Sequence, residues 1–166
     1  MKARRIAKQR KMQRVRRRCV LVDLFWSIDP ETEKCWPSPE SEIDQPIPRA
    51  RAIAPSDEPV DVYVCLDYPL QDAVPESARE SNFKARTVKD VCLEVRRIYE
   101  AIYAEDVRLG GVTADEYREK NPDYPLLNRP FGPWVWGHDI GDLAIEFIEF
   151  EWMSPTHCHA NLFIGS

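Results

Sequence analysis

One long stretch of this chain has the periodicity of a helix, and the other strong signals are those of strands. From Thr87 onward, Val88, Val91, Cys92, Val95, Ile98, Tyr99, Ile102 and Tyr103 recur at i, i+3, i+4 and i+7. That spacing lays one apolar stripe along a helix over 88–106. Thr87 and Asp90 stand at capping-box spacing, with Asp in place of the commoner Glu. Gly110-Gly111 ends the run, because glycine reaches the backbone angles that close a helix. Arg96 and Glu100 lie one turn apart on the wet face and are expected to pair weakly. Thr113 with Glu116 caps a second, short helix that Pro122 stops.

The strand signals lie on both sides of that helix. In VDVYVCLD, residues 60–67, Val60, Val62, Val64 and Leu66 share one face, and Asp61, Tyr63, Cys65 and Asp67 share the other. Residues 19–28 are rich in Val, Leu, Phe and Trp, and Asp29-Pro30 stops them. Residues 134–136 read as a short strand. Residues 145–152 (IEFIEFEW) alternate but change phase at Phe147-Ile148, which predicts a β-bulge. After a turn at 153–156, residues 158–164 return with Cys158, Ala160, Leu162 and Ile164 on one face. Residues 68–86 and 121–133 read as loops.

Residues 29–59 hold seven of the 14 prolines and eight acids against three bases. Proline removes backbone donors and disfavours helix before it, so this is an extended acidic crossing segment. Trp36, Ile43, Ile47 and Ile53 are its candidate pins to the body. The expected fold is therefore α+β: a small, mainly antiparallel sheet packed against one long helix, with an extended basic N-terminal arm. The arm is 1–18, and 19–166 form a single domain. The connections are too irregular for a repeated βαβ winding.

Charge divides the same way. The first 22 residues carry ten bases and no acid: Lys2, Arg4, Arg5, Lys8, Arg10, Lys11, Arg14, Arg16, Arg17 and Arg18. The remaining 144 residues hold 13 bases and 28 acids, so an overall charge of −5 hides an arm near +10 on a body near −15. So dense a positive block seeks phosphate, anionic lipid or an acidic protein face. The arm has no aromatic residue for base stacking, so its binding to nucleic acid is expected to be independent of sequence. Translation from Met12 would leave Arg14, Arg16, Arg17 and Arg18. The arm is Arg-rich like a mitochondrial presequence but lacks the Ser enrichment of one. No apolar run approaches the ~20 residues of a membrane span. Five widely spaced cysteines with no CxxC fit reduced thiols in the cytoplasm or nucleus, and the cytoplasm is the expected location.

Three clusters carry candidate chemistry. The string His138-Asp139-Ile140-Gly141 resembles the metal-binding signature of HD-type phosphohydrolases. Those enzymes set His-Asp on a helix and need a further upstream His, whereas here strand or turn sequence precedes the pair and His138 is the first histidine. A turn capped by Asp139 or Asp142 is the expected structure. His157 and His159 share a strand face, and His138 would complete a three-histidine metal site. The competing reading sets them across a hairpin from Glu149 or Glu151. Glu146, Glu149 and Glu151 form the third cluster, a row of carboxylates able to dock on a basic protein surface.

No Ser-His-Asp, Cys-His or P-loop pattern is present in the sequence, so neither catalysis nor a cofactor is expected. The leading expectation is a non-catalytic accessory protein, of a kind compatible with a virus or mobile element. Its arm binds nucleic acid or another polyanion while its acidic body engages a protein partner. The alternatives are an inhibitor or immunity-type protein, whose acidic face blocks a basic site, and a metal-dependent hydrolase using the three histidines. An anionic membrane is a further candidate partner for the arm.

Overall fold

The computed structural model describes residues 18–31, 43–50, 58–122 and 132–166. Arg18 is the one arm residue among them; Lys2, Arg4, Arg5, Lys8, Arg10, Lys11, Arg14, Arg16 and Arg17 lie outside, as do Trp36 and Ile53.

Among the described residues, nine elements are named in chain order. They are β1 (Cys19–Ser27), β2 (Val60–Cys65), the single-turn α1 (Glu76–Arg79), β3 (Glu80–Ala85), α2 (Val88–Arg108), α3 (Ala114–Lys120), a 3-10 turn at Ile140–Asp142, β4 (Ala144–Ser154) and β5 (His157–Gly165). The strands form one sheet in the order β1-β4-β5-β2-β3, antiparallel throughout except for the parallel pair β2–β5. The α+β class, the long helix and the mainly antiparallel sheet are as the sequence predicts.

The periodic stripe is buried as its spacing requires. Val88, Val91, Cys92, Val95, Ile98, Tyr99 and Ile102 of α2 join one core with Val22, Leu24 and Trp26 of β1, Ile148, Phe150 and Trp152 of β4, and Cys158 and Ala160 of β5. The Thr87 hydroxyl accepts from the Asp90 amide, and the Asp90 carboxylate accepts from the Thr87 and Arg86 amides at 2.9 and 2.7 Å. Thr113 and Glu116 close the same box on α3. Gly110, at φ +101°, takes the left-handed turn that ends α2.

The bulge in β4 is present, but it lies at Glu146, just ahead of the predicted Phe147-Ile148 step. Ile145 pairs with Ile164 and Phe147 with Phe163, so Glu146 is the extra residue. A second bulge, at Met153, precedes the turn into β5.

Arg96 behaves otherwise than expected. Its guanidinium lies 4.1 Å from the Trp26 ring centroid and donates to the Ile28 and Ser27 carbonyls. It ties the end of β1 to the helix; the i,i+3 pairs Arg97–Glu94 and Arg108–Glu105 take the role expected of Arg96–Glu100. Two expected pins of the crossing segment, Ile43 and Ile47, are buried, and Pro46 bridges Thr87.

Two stretches depart from the sequence reading. Residues 76–85, read as loop, form α1 and the edge strand β3. Only Phe83 and Ala85 of β3 add apolar surface to the core side, and Ser81 completes that face by donating to Glu94 at 2.6 Å. Residues 134–136, read as a strand, make one isolated bridge, Val135 to Leu70. They are also held by Asp106, a buried carboxylate near the end of α2 that accepts from the Trp134 amide at 2.6 Å. A Cβ at Gly132 would meet that carboxylate at 2.5 Å, so glycine permits the close approach.

Burial pushes the Asp90 carboxyl up, but the Thr87 and Arg86 hydrogen bonds outweigh it and hold the group below its ordinary 3.8. A lowered folded pKa contributes stability above the unfolded value and loses it as pH falls through the folded one. Asp90→Ala should therefore cost about 1 kcal/mol in urea titration at neutral pH. The difference from the unchanged protein should shrink as pH falls below the ordinary value of 3.8.

Candidate functional site

Alternate residues of every strand point away from α2, and the registers align them in rows on the opposite face. One row runs Ser154, His157, Asp61, Lys84; the next runs Cys19, Glu151, His159, Tyr63, Asn82. Beyond them lie Leu21, Glu149 and Asn161, then Asp23, Phe147 and Phe163. This outer face is the surface on which the sequence's candidates meet.

One end of this face, toward the β1 edge, is apolar. The Phe147 and Phe163 rings stack with centroids 3.9 Å apart. Leu21 and Phe25 on the edge strand remain 54% and 55% exposed, and Phe163 45%, so nothing among the described residues buries this patch. Singly exposed apolar residues are ordinary; a contiguous group beside a ring of charge marks an interaction surface.

Its rim is acidic. Glu149 and Glu151 stand two residues apart on β4, with Asp23 one strand away. Asp61 is paired with Lys84 at 3.0 Å. Glu80 hydrogen-bonds the Tyr63 hydroxyl, which with partial burial raises that phenol well above its ordinary range. Glu146 is set apart from Glu149 and Glu151: it occupies the bulge beyond Phe147, and its side chain lies over Gly165. The predicted carboxylate row is thus a pair plus an outlier.

The arm begins at this face. Arg18 precedes β1, and its carbonyl accepts from the Trp152 amide, next to Glu151. Burial first, then the charges of Glu149 and Glu151, raise the neighbouring Cys19 thiol. The root of the cationic arm therefore sits in the field of two carboxylates.

The histidines separate. His159 lies opposite Glu151, but His157 lies opposite Ser154 and Asn161 opposite Glu149; the His159 ring is 5.0 Å from Tyr63 and 5.5 Å from His157. His138 is elsewhere, 8% exposed, with Nε2 at 2.9 Å from the Tyr68 hydroxyl, which in turn meets Ser166 past the far end of β5. Nine residues of β5 separate that end from His157, roughly 30 Å of strand. The three-histidine metal site is not formed, and among the described residues no group of three His, Cys, Asp or Glu is placed to hold a metal.

The HDIG string is the predicted turn. Asp139 caps the 3-10 turn by accepting from Gly141, and Asp142 accepts from the Asp139 amide. A cavity of about 260 Å³ beside it is lined by Tyr103, Asp106, Val112 and Asp139. Both acids already serve the backbone.

The alternation of β5 carried the signal for Phe163, since it shares the His157–His159 face. The patch as a whole was missed because Leu21 and Phe25 look like core until the helix is assigned to one side. Leu21→Thr with Phe25→Thr keeps β-propensity and should change the unfolding free energy by less than about 1 kcal/mol, measured by urea titration. A larger loss would show that this patch belongs to the core.

Comparisons with protein-family models, with curated proteins and with solved structures found no match, so the functional reading rests on this surface and the arm beside it.

Proposed function

We propose that this chain is a non-catalytic interaction protein. Its basic arm holds a nucleic acid or another polyanion, and the acid-rimmed outer face of its body docks a protein partner. The observation that carries this reading is the segregation of charge. Ten bases and no acid fill the first 22 residues, while the body, near −15, turns Glu149, Glu151 and Asp23 out beside an exposed apolar patch.

The two surfaces suit different chemistry. The arm offers only point charges and forks to phosphate, which give affinity and a steep salt dependence without reading sequence. The body offers an apolar patch adjoining carboxylates, which suits a protein surface with an apolar part beside a basic one. The same feature supports the second reading, an inhibitor whose acidic face covers a basic site.

Fluorescence polarisation with labelled single-stranded and duplex oligonucleotides tests the first reading, from roughly 50 to 300 mM salt. The full chain should bind both, with an affinity that falls by at least about tenfold across that range. Arg14→Gln, Arg16→Gln, Arg17→Gln and Arg18→Gln together should weaken binding and flatten the salt slope. Absence of binding to either probe at the lowest salt would remove the nucleic-acid reading and leave the inhibitor reading in front.

A further inference from the structure

We infer that the outer sheet face is occupied by the chain's own arm when no polyanion is bound, so that a polyanion must strip the arm from Glu149 and Glu151. The competition rests on the proposed reading of the arm; the docking does not.

Four observations lead here. The face is uncovered among the described residues, and its carboxylates adjoin an exposed apolar patch at one end. Its carboxylates are opposite in sign to the arm, whereas a second body near −15 would be repelled by it. The arm starts at the strand end that carries Glu151, because the Arg18 carbonyl accepts from the Trp152 amide and Cys19 pairs with Glu151. The length suffices: 17 residues precede Arg18, spanning about 26 Å if helical and up to about 58 Å if extended, against about 19 Å across five strands. Being tethered, the arm meets its own face at an effective concentration near millimolar, so a weak contact suffices to hold it. Exposed ion pairs are individually weak and salt-screened, which makes the contact releasable.

Zero-length carbodiimide coupling on the full chain reads the contact directly, since it joins a lysine amine to a carboxylate only where the two touch. At about 50 mM salt the monomer should yield amide links from Lys2, Lys8 or Lys11 to Glu149, Glu151 or Asp61, identified by mass spectrometry. Their yield should fall at least fivefold at about 500 mM salt, and likewise with one equivalent of a 20-nucleotide single strand. Links found only in a covalent dimer, a yield indifferent to salt, or no links to this face would each overturn the inference.

A second measurement separates docking from simple charge. Glu149→Gln with Glu151→Gln should raise oligonucleotide affinity several-fold more than Glu100→Gln with Glu119→Gln, which removes the same charge from the exposed sides of α2 and α3. Equal gains would overturn competition at this face. If no variant binds the oligonucleotide, the polyanion reading fails by itself, and the coupling yields and their salt dependence alone decide the docking.

Discussion

A sheet of five strands with one long helix can bury only one of its two faces. The sheet is about 19 Å across and a helix with its side chains about 10–12 Å, so even the covered face needs help. That help comes from irregular chain: Ile43, Ile47 and Ala50 of the crossing segment, Leu70 and Val74 of the β2–β3 connection, and Val135 beyond α3 are all buried. The largest side chains, Trp152 and Phe150 of β4, Trp26 of β1 and Tyr99 of α2, fill the resulting layer. Arg96 over Trp26 and Asp106 under Trp134 then fix strand and loop to the helix. The proline-rich connections are thus the second part of the covering layer, and the outer face is what remains when that covering is used up.

The elements with strong apolar alternation were legible in the sequence because they face one environment on each side. Strands β2, β4 and β5, the helix α2 and both capping boxes follow from spacing, and β1 from its richness in Val, Leu, Phe and Trp. The edge strand β3 was illegible because Glu80, Asn82 and Lys84 on one side and Ser81 on the other leave only two apolar side chains to reveal a period. Its strand state is imposed by pairing with β2. The error at 134–136 runs the other way: aromatic residues gave a strand signal, but pairing stops at the bridge to Leu70, where the Gln71 and Trp136 amides donate to Trp134 and Pro69, and the Asp106 carboxylate takes the Trp134 amide. Arg96 was assigned to the wet face because periodicity shows which way a side chain starts, not that a guanidinium reaches back across its plane to an indole.

For the candidate surface, the limit was handedness of assignment. Glu149, Glu151, His157 and His159 could be placed on common faces by parity, and the register confirms Glu151 opposite His159. Parity cannot state which face the helix takes in β1, whose residues are apolar on both sides. Leu21 and Phe25 therefore read as core. Parity alone also separates Glu146 from Glu149 and Glu151, since an even position of a regular strand faces away from odd ones; the bulge leaves it exposed beyond Phe147.

This arrangement uncouples the surface from the fold. Side chains of the outer face share backbone with the core but not contacts, since successive residues of a strand point oppositely. Substitution there is free to vary charge and apolar area at little cost to folding. Segregated charge has its own cost, however: a body near −15 repels itself, and an arm near +10 relieves that repulsion merely by being attached. The relief is greatest where the carboxylates are densest and nearest the tether, at Glu149 and Glu151. The same electrostatics that favour holding the arm there also oppose its release. A polyanion that takes the arm must therefore supply more charge than two carboxylates and a screened field provide, which a phosphate backbone does and a single small anion does not.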